Sequence, residues 1–166
     1  MEFVNINLNF HKDIVIRFRK DSFKESFRHS KDFNEEENVL WLEEKVQEFP
    51  DGFLLLKKEN EYIGQVELTI KRYKNRVIGY INLYYLTKPY RGKGYAEEMH
   101  TYALRYFENN GLEEYHLRVS PTNRRAIKFY QKNGLEKINE EHEGESHTYE
   151  RLFIKLSAQI NYSGGS

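Results

Sequence analysis

The stretch that most restricts this chain runs from Ile78 to Gly111. Ile78 to Leu86 is rich in β-branched and aromatic residues and reads as a half-apolar strand. A turn containing Pro89 leads into Arg91-Gly92-Lys93-Gly94, and a helical pattern then begins. Its apolar positions are Ala96, Met99, Ala103, Tyr106 and Phe107, spaced by three, four, three and one, with Gly111 as the stop signal. A strand that passes through glycines into a helix start presents backbone N–H groups without partners. The first-turn amides are orphan donors, the helix dipole adds positive potential, and glycine lets an anion approach the backbone. The element therefore reads as a phosphate cradle. A tight turn carrying a solvated lysine is the other reading of the same residues.

Two familiar phosphate loops are excluded. There is no Gly-Lys-[Ser/Thr], and Glu97 stands where a dinucleotide fingerprint needs its third glycine. A second segment, residues 117–135, carries Asn123, Ala126, Tyr130 and Gly134. Arg91-Gly-Lys-Gly-Tyr-Ala96 resembles the [Gln/Arg]-x-x-Gly-x-[Gly/Ala] pyrophosphate loop of the GNAT-type N-acetyltransferases, and this second segment is similar to that superfamily's next conserved block. The resemblance covers about 60 residues closely. It implies a mixed α/β fold: a central, mostly antiparallel sheet with a splayed strand pair and helices on both faces. It also implies acyl transfer from acetyl-CoA to an amine.

Composition narrows the setting. The 166 residues fit one domain, expected over 1–156, with 157–166 as a flexible tail whose Tyr-Ser-Gly-Gly-Ser end looks like a cloning remnant. Lysine plus arginine equals aspartate plus glutamate at 26 each, so no nucleic-acid footprint is indicated. Cysteine is absent, which removes disulfides, thiolate metal sites and an acetyl-cysteine intermediate. None of the six histidines has metal-site spacing; His142 and His147 flank Gly144 among acids, as in a solvated turn. With no membrane-length apolar run and no signal pattern, the chain is expected to be soluble and cytoplasmic, as a monomer or homodimer.

Phe3–Leu8 alternates and predicts a first strand, and residues 11–29 fit a helix or a strand, with the helix preferred. Asn34 with Glu37 forms a capping box that opens a helix to Glu48. Phe53–Lys57, Glu61–Ile70 and Val77–Leu86 predict an antiparallel meander, with turns at 59–60 and 72–76. Pairing Ile70 with Val77 places Val66 opposite Ile81 and Gly64 opposite Leu83 on one apolar face. It places Glu67 opposite Tyr80 and Gln65 opposite Asn82 on the other. Glu114–Val119 is a short strand, Arg124–Lys132 a helix capped by Asn123, and Leu135–Glu140 with Thr148–Leu156 a closing hairpin.

The resemblance assigns roles residue by residue. Gly92, Lys93, Gly94, Tyr95 and Ala96 would hold the pyrophosphate, with charge from Arg91 and Lys93. The pantetheine arm would fill a gap opened between Tyr84–Leu86 and Leu117–Val119, and an amide near Tyr85 or Leu86 would stabilise the oxyanion. Tyr130 would protonate the departing thiolate, and Asn123 would touch the pantetheine arm as well as capping its helix. Glu67 is the candidate base, because Tyr80 and Asn82 occupy the strand positions where some family members carry a carboxylate. His116 is a poorer choice, expected at the surface, and a water chain is a third option. Each role has an ordinary counterpart: Tyr130 as core, Arg91 and Lys93 as a solvated pair, Glu67 as structural. Residues 11–49 should shape the acceptor pocket. Tyr73, Tyr80, Tyr84 and Tyr85 with Glu67 would suit a cationic acceptor. Direct attack on acetyl-CoA by an amine is the leading function. The alternatives are a non-catalytic acyl-CoA sensor and a plain interaction domain.

Overall fold

The computed structural model describes residues 1–143 and 151–161. A seven-stranded sheet runs in the order β1-β2-β3-β4-β5-β7-β6. The strands are β1 (Glu2–Asn5), β2 (Phe53–Lys58), β3 (Glu61–Tyr73), β4 (Arg76–Leu86), β5 (Glu114–Val119), β6 (Glu136–Glu143) and β7 (Arg151–Gln159). Every neighbouring pair is antiparallel except β4 and β5. The helices are α1 (Leu8–Phe27), α2 (Glu35–Glu48), α3 (Tyr95–Asn109) and α4 (Arg124–Lys132). Two apolar clusters divide the sheet. One holds Val66, Leu68 and Ile81 with Met99, Ala103 and Phe107 of α3; the other holds Phe53, Leu55 and Tyr85 with Val15, Phe18 and Leu42 of α1 and α2.

Local chemistry explains the element ends. β1 stops at Asn5 instead of running to Leu8, because the Asn7 side chain accepts from the Asn9 amide and starts α1 early. The helical reading of residues 11–29 holds, with Val15, Ile16 and Phe18 buried. The Asn34 side chain caps α2 at the Glu37 amide, and Asn123 caps α4 at Ala126. Gly144, His147 and the terminal Ser-Gly-Gly-Ser lie outside the described residues. Residues 157–160, expected in the tail, belong to the last strand and its end. β7 continues to Gln159, and buried Ile160 donates its amide to the Glu113 carbonyl at 2.8 Å. The apolar alternation Ile154, Leu156, Ala158, Ile160 carries the strand past residue 156.

The meander register differs from expectation. Tyr73 pairs with Arg76 across a turn whose Lys74 has φ 54°, so the hairpin is tighter and the pairing is displaced by two residues. A bulge between Glu67 and Leu68 adds a third: Leu68 faces Ile81, Glu67 faces Leu83, and Asn82 has no ladder partner. An extra residue in one strand turns all that follows onto the other face. Tyr84 and Leu86 therefore pack in the cluster of α3, while Leu83 and Tyr85 pack in that of α1 and α2. Val66 lies opposite Tyr84 and Gln65 opposite Tyr85.

Among the described residues no helix is long and apolar enough to cross a membrane. The approach of α3 to the sheet depends on Gly79, where a Cβ would lie 2.5 Å from Cδ1 of Phe107. Gly79→Ala should therefore destabilise the protein by roughly 1–3 kcal/mol through overpacking. Urea unfolding measures this, and an unchanged midpoint would show that Phe107 yields freely.

Candidate active site

β4 and β5 share only three ladder positions, Gly79–Tyr115, Tyr80–His116 and Ile81–Leu117. Beyond them β4 stays with β3 to Leu86, and β5 stays with β7 to Val119. The two strands part where Asn82 bulges, and a bulge adds local twist. The Thr87 amide donates to the Ile63 carbonyl at 2.9 Å. Alternation along an antiparallel ladder then directs Tyr85 toward β3 and turns the amides of Tyr84 and Leu86 into the gap. Of the two amides expected near the oxyanion, Leu86 faces the gap and Tyr85 does not.

After a 3₁₀ turn at Lys88–Tyr90 the chain reaches Gly92 at φ 73° and Gly94 at φ 91°. Both angles lie in the left-handed region that favours glycine. Gly94 is the N-cap of α3 and has no side chain to cap it, which leaves first-turn amides open toward the cavity. This cavity, of about 330 Å³, is walled by Tyr84, Tyr85, Leu86, Arg91, Gly92, Gly94, Ala96, Asn123 and Tyr130. Nine of the predicted residues thus converge. Lys93 and Tyr95 do not line it: Lys93 lies 5.7 Å from the Tyr90 ring centroid, and the Tyr95 hydroxyl accepts from Lys58 at 2.6 Å.

Arg91 is already engaged. Its Nε donates to the Leu86 carbonyl at 2.8 Å and its Nη2 to Glu25 of α1 at 2.6 Å. Ala126 of the second motif also lines it, and Ser22, Glu25, Glu97, Met99, Arg125 and Phe129, assigned no site role from the sequence, complete the wall. Arg125, directly after the cap of α4, had a local signal in the Asn-Arg-Arg run. Ser22 and Glu25 had none, because only tertiary packing brings α1 here.

Tyr130 is buried, with its ring 6.3 Å from that of Tyr84. Burial, assisted by nearby Tyr115, pushes its hydroxyl pKa up. The Tyr84 hydroxyl meets His100 Nδ1 at 3.0 Å and the Tyr115 hydroxyl meets His100 Nε2 at 3.1 Å. Burial lowers the His100 pKa to about 4, so the ring is neutral and bridges the tyrosines as one donor and one acceptor.

Glu67 is wholly buried on the opposite face, facing Leu83 instead of Tyr80. One carboxylate oxygen is paired with Arg19, and the other accepts from Gln65 Nε2 at 2.7 Å. It lines none of the three cavities described for this protein. His116 is also buried rather than superficial, bonded to Glu114 at 2.8 Å. The tyrosine–Glu67 cluster does not form, because the bulge sends Tyr84 to the other side of the sheet.

Comparison with known proteins places this geometry. The acetyltransferase (GNAT) family model matches residues 16–135, and the chain belongs to that family. A prophage-derived uncharacterized N-acetyltransferase, YokL, of Bacillus subtilis strain 168 is 32% identical over 101 residues, covering 58% of this chain and 54% of YokL. The chain spans about half the length of the curated relatives it matches. The NatC complex bound to Gag peptide and CoA contains a chain similar in structure, with a TM-score of 0.70 and 16% identity over 97% of this chain and 100% of that one. The structure of yncA from Salmonella typhimurium with its cofactor acetyl-CoA gives 0.70 and 9%, over 100% of this chain and 97% of that one. At such identities the likeness is one of fold.

His100 makes acid stability a readout of the site. Its folded pKa of about 4 lies below the ordinary 6.5, so the unfolded chain takes up the proton first as pH falls. Stability from this group is therefore intact above pH 6.5 and lost between 6.5 and 4, by up to ~3 kcal/mol. Urea unfolding of wild type and His100→Gln across that window should show the steeper fall in wild type. Parallel curves would mean that the imidazole is already charged or exposed.

Proposed function

We propose that the chain transfers the acetyl group of acetyl-CoA to an amine by direct attack within a ternary complex. The observation that carries this reading is the continuity of the β4–β5 gap with the glycine loop and the uncapped start of α3. Polar backbone groups line the gap and orphan amides close one end, which suits an extended amide-containing arm ending in a pyrophosphate. Gly92, Gly94 and Ala96 would take the phosphates, with Arg125 adding charge. Arg91 would contribute only by sharing a guanidinium that Glu25 already holds. Lys93 and Tyr95 would act through the shape of the loop. The amides of Tyr84 and Leu86 would run along the arm, and one of them would donate to the developing oxyanion. Asn123 would hold the arm from the α4 side.

The neutral amine nitrogen bonds to the acetyl carbon, the carbon–sulfur bond breaks, the departing sulfur takes a proton from Tyr130, and the proton that the nitrogen sheds as the amide forms returns through cavity water to the tyrosine oxygen. The amine must first lose its own proton, since a lysine-like group has a pKa near 10.4. With Glu67 engaged by Arg19 and Gln65, that proton goes to water in the cavity, and Glu67 acts by holding Arg19 in place. The sealed Glu67 is also the one observation that favours a non-catalytic acyl-CoA sensor. Release of CoA in the presence of an amine panel, with acetyl-CoA binding measured separately, decides between the two.

Gly94→Asp would put a carboxylate, and a side chain at φ 91°, at the mouth of the cradle. Calorimetry should then show acetyl-CoA binding lost while the circular dichroism spectrum stays folded; retained affinity would remove the cosubstrate assignment. Tyr130→Phe keeps the ring and deletes the hydroxyl. kcat should fall by roughly 10²–10⁴-fold with little change in acetyl-CoA affinity or Tm, because general-acid help is needed mainly in the transition state. A Phe variant with wild-type kcat, measured where chemistry limits turnover, would return Tyr130 to the core.

A further inference from the structure

The glycine loop is short of packing of its own. A Cβ built at Gly92 or Gly94 would meet no atom within 4 Å, and both residues hold positive φ angles that glycine also leaves readily. A cradle made of backbone amides binds an anion only while those amides point inward. A loop that spends time in other shapes loses affinity in proportion to that time. The support for its shape lies outside the loop.

Two tyrosines flank it, Tyr90 before and Tyr95 after, and both reach the end of the β2–β3 hairpin. The Tyr90 hydroxyl donates to Glu61 at 2.9 Å, and the Lys58 ammonium donates to the Tyr95 hydroxyl at 2.6 Å. Lys58 closes β2 and Glu61 opens β3, and the two are ladder partners across a turn in which Glu59 has φ 57°. One hairpin end therefore offers a donor to one side of the loop and an acceptor to the other. Its stem is rigid, with Leu56 and Ile63 wholly buried.

Ring contacts tie the same groups together. The Lys58 ammonium lies 5.9 Å from the Tyr90 ring centroid and 5.3 Å from that of Tyr95, and the two rings meet edge to face at 6.0 Å. Both rings pack against the cluster of α3. The bond to Tyr95 raises the Lys58 pKa, so the ammonium keeps its charge. The bond to Glu61 raises that of Tyr90, so its hydroxyl stays a donor.

We propose that Lys58 and Glu61 are positioning residues for the cosubstrate. They clamp Tyr95 and Tyr90 and so hold the amides of the glycine loop in the arrangement that takes a pyrophosphate. This rests on the acetyl-transfer reading and says what pre-organises its anion site. Neither residue is among the described residues that wall the cavity, so the effect passes through the tyrosines.

The charge of Glu61 separates a clamp from simple electrostatics. Deleting a carboxylate near a bound anion removes repulsion, so charge alone predicts tighter binding, whereas a broken clamp predicts weaker binding. The test is calorimetry with CoA on wild type, Glu61→Ala, Tyr90→Phe, Tyr95→Phe and the Glu61→Ala/Tyr90→Phe double variant. Each single variant should bind CoA about three- to tenfold more weakly, the range of one hydrogen bond, with Tm little changed. The double variant should bind no more weakly than Tyr90→Phe, because both changes break the same contact. NMR relaxation and relaxation dispersion of the ligand-free variants should show added motion at residues 92–96. Unchanged or tighter CoA binding by Glu61→Ala overturns the clamp, as do additive losses in the double variant or weaker binding without added loop motion. Failure of the wild-type protein to bind CoA would instead overturn the acetyl-transfer reading, and the clamp with it.

Discussion

One strand cannot keep two partners once it twists away from one of them. β4 is bonded to β3 along its whole length and to β5 for only three residues, and the bulge opposite Asn82 sits where the second allegiance ends. The unpaired backbone beyond that point would be a liability in a closed core, since buried amides without partners cost free energy. Here it borders a cavity that also receives the start of α3. The same bulge places Tyr84 toward His100 and Tyr130, and Leu83 toward α1. The gap between β4 and β5 and the division of the two cores both follow from a single extra residue.

Much of this was legible in the chain because the signals were local. The caps at Asn34 and Asn123, the positive-φ glycines at 92 and 94, and the alternation of β5 are each decided within a few residues. The bulge was not legible. It exchanges the faces of Leu83 and Tyr84, both large and apolar enough for either side, so hydrophobic pattern gave no warning. The register error carried directly into chemistry: Glu67 was expected opposite Tyr80 as a candidate base, and it lies opposite Leu83, buried and bonded to Arg19 and Gln65. His100, Ser22 and Glu25 were passed over because helix periodicity marks which face is buried and says nothing of what lies beneath it.

The Arg19–Glu67 pair shows why a buried carboxylate is poor evidence of acid–base function. Bringing two charges out of water costs several kcal/mol each, and the pair is tolerable only when hydrogen bonds satisfy both members. Gln65 and Asn38 do so here. What such a pair contributes is fixed geometry more than stability, and the guanidinium it fixes lines a cavity together with Asn82 and Tyr84.

Arg91 stands between two claimants. It ties the Leu86 carbonyl of β4 to Glu25, on the segment of α1 whose Ser22 and Ser26 line a second cavity beside Tyr84 and Tyr130. An anion entering the glycine loop would share this guanidinium with Glu25, because Nη1 makes no bond among the described residues. Where filling the loop alters that shared contact, the stretch of α1 responds in turn, and thermodynamic linkage makes the influence mutual. One side chain thereby fastens a strand end, a helix and the glycine loop to one another at a single point.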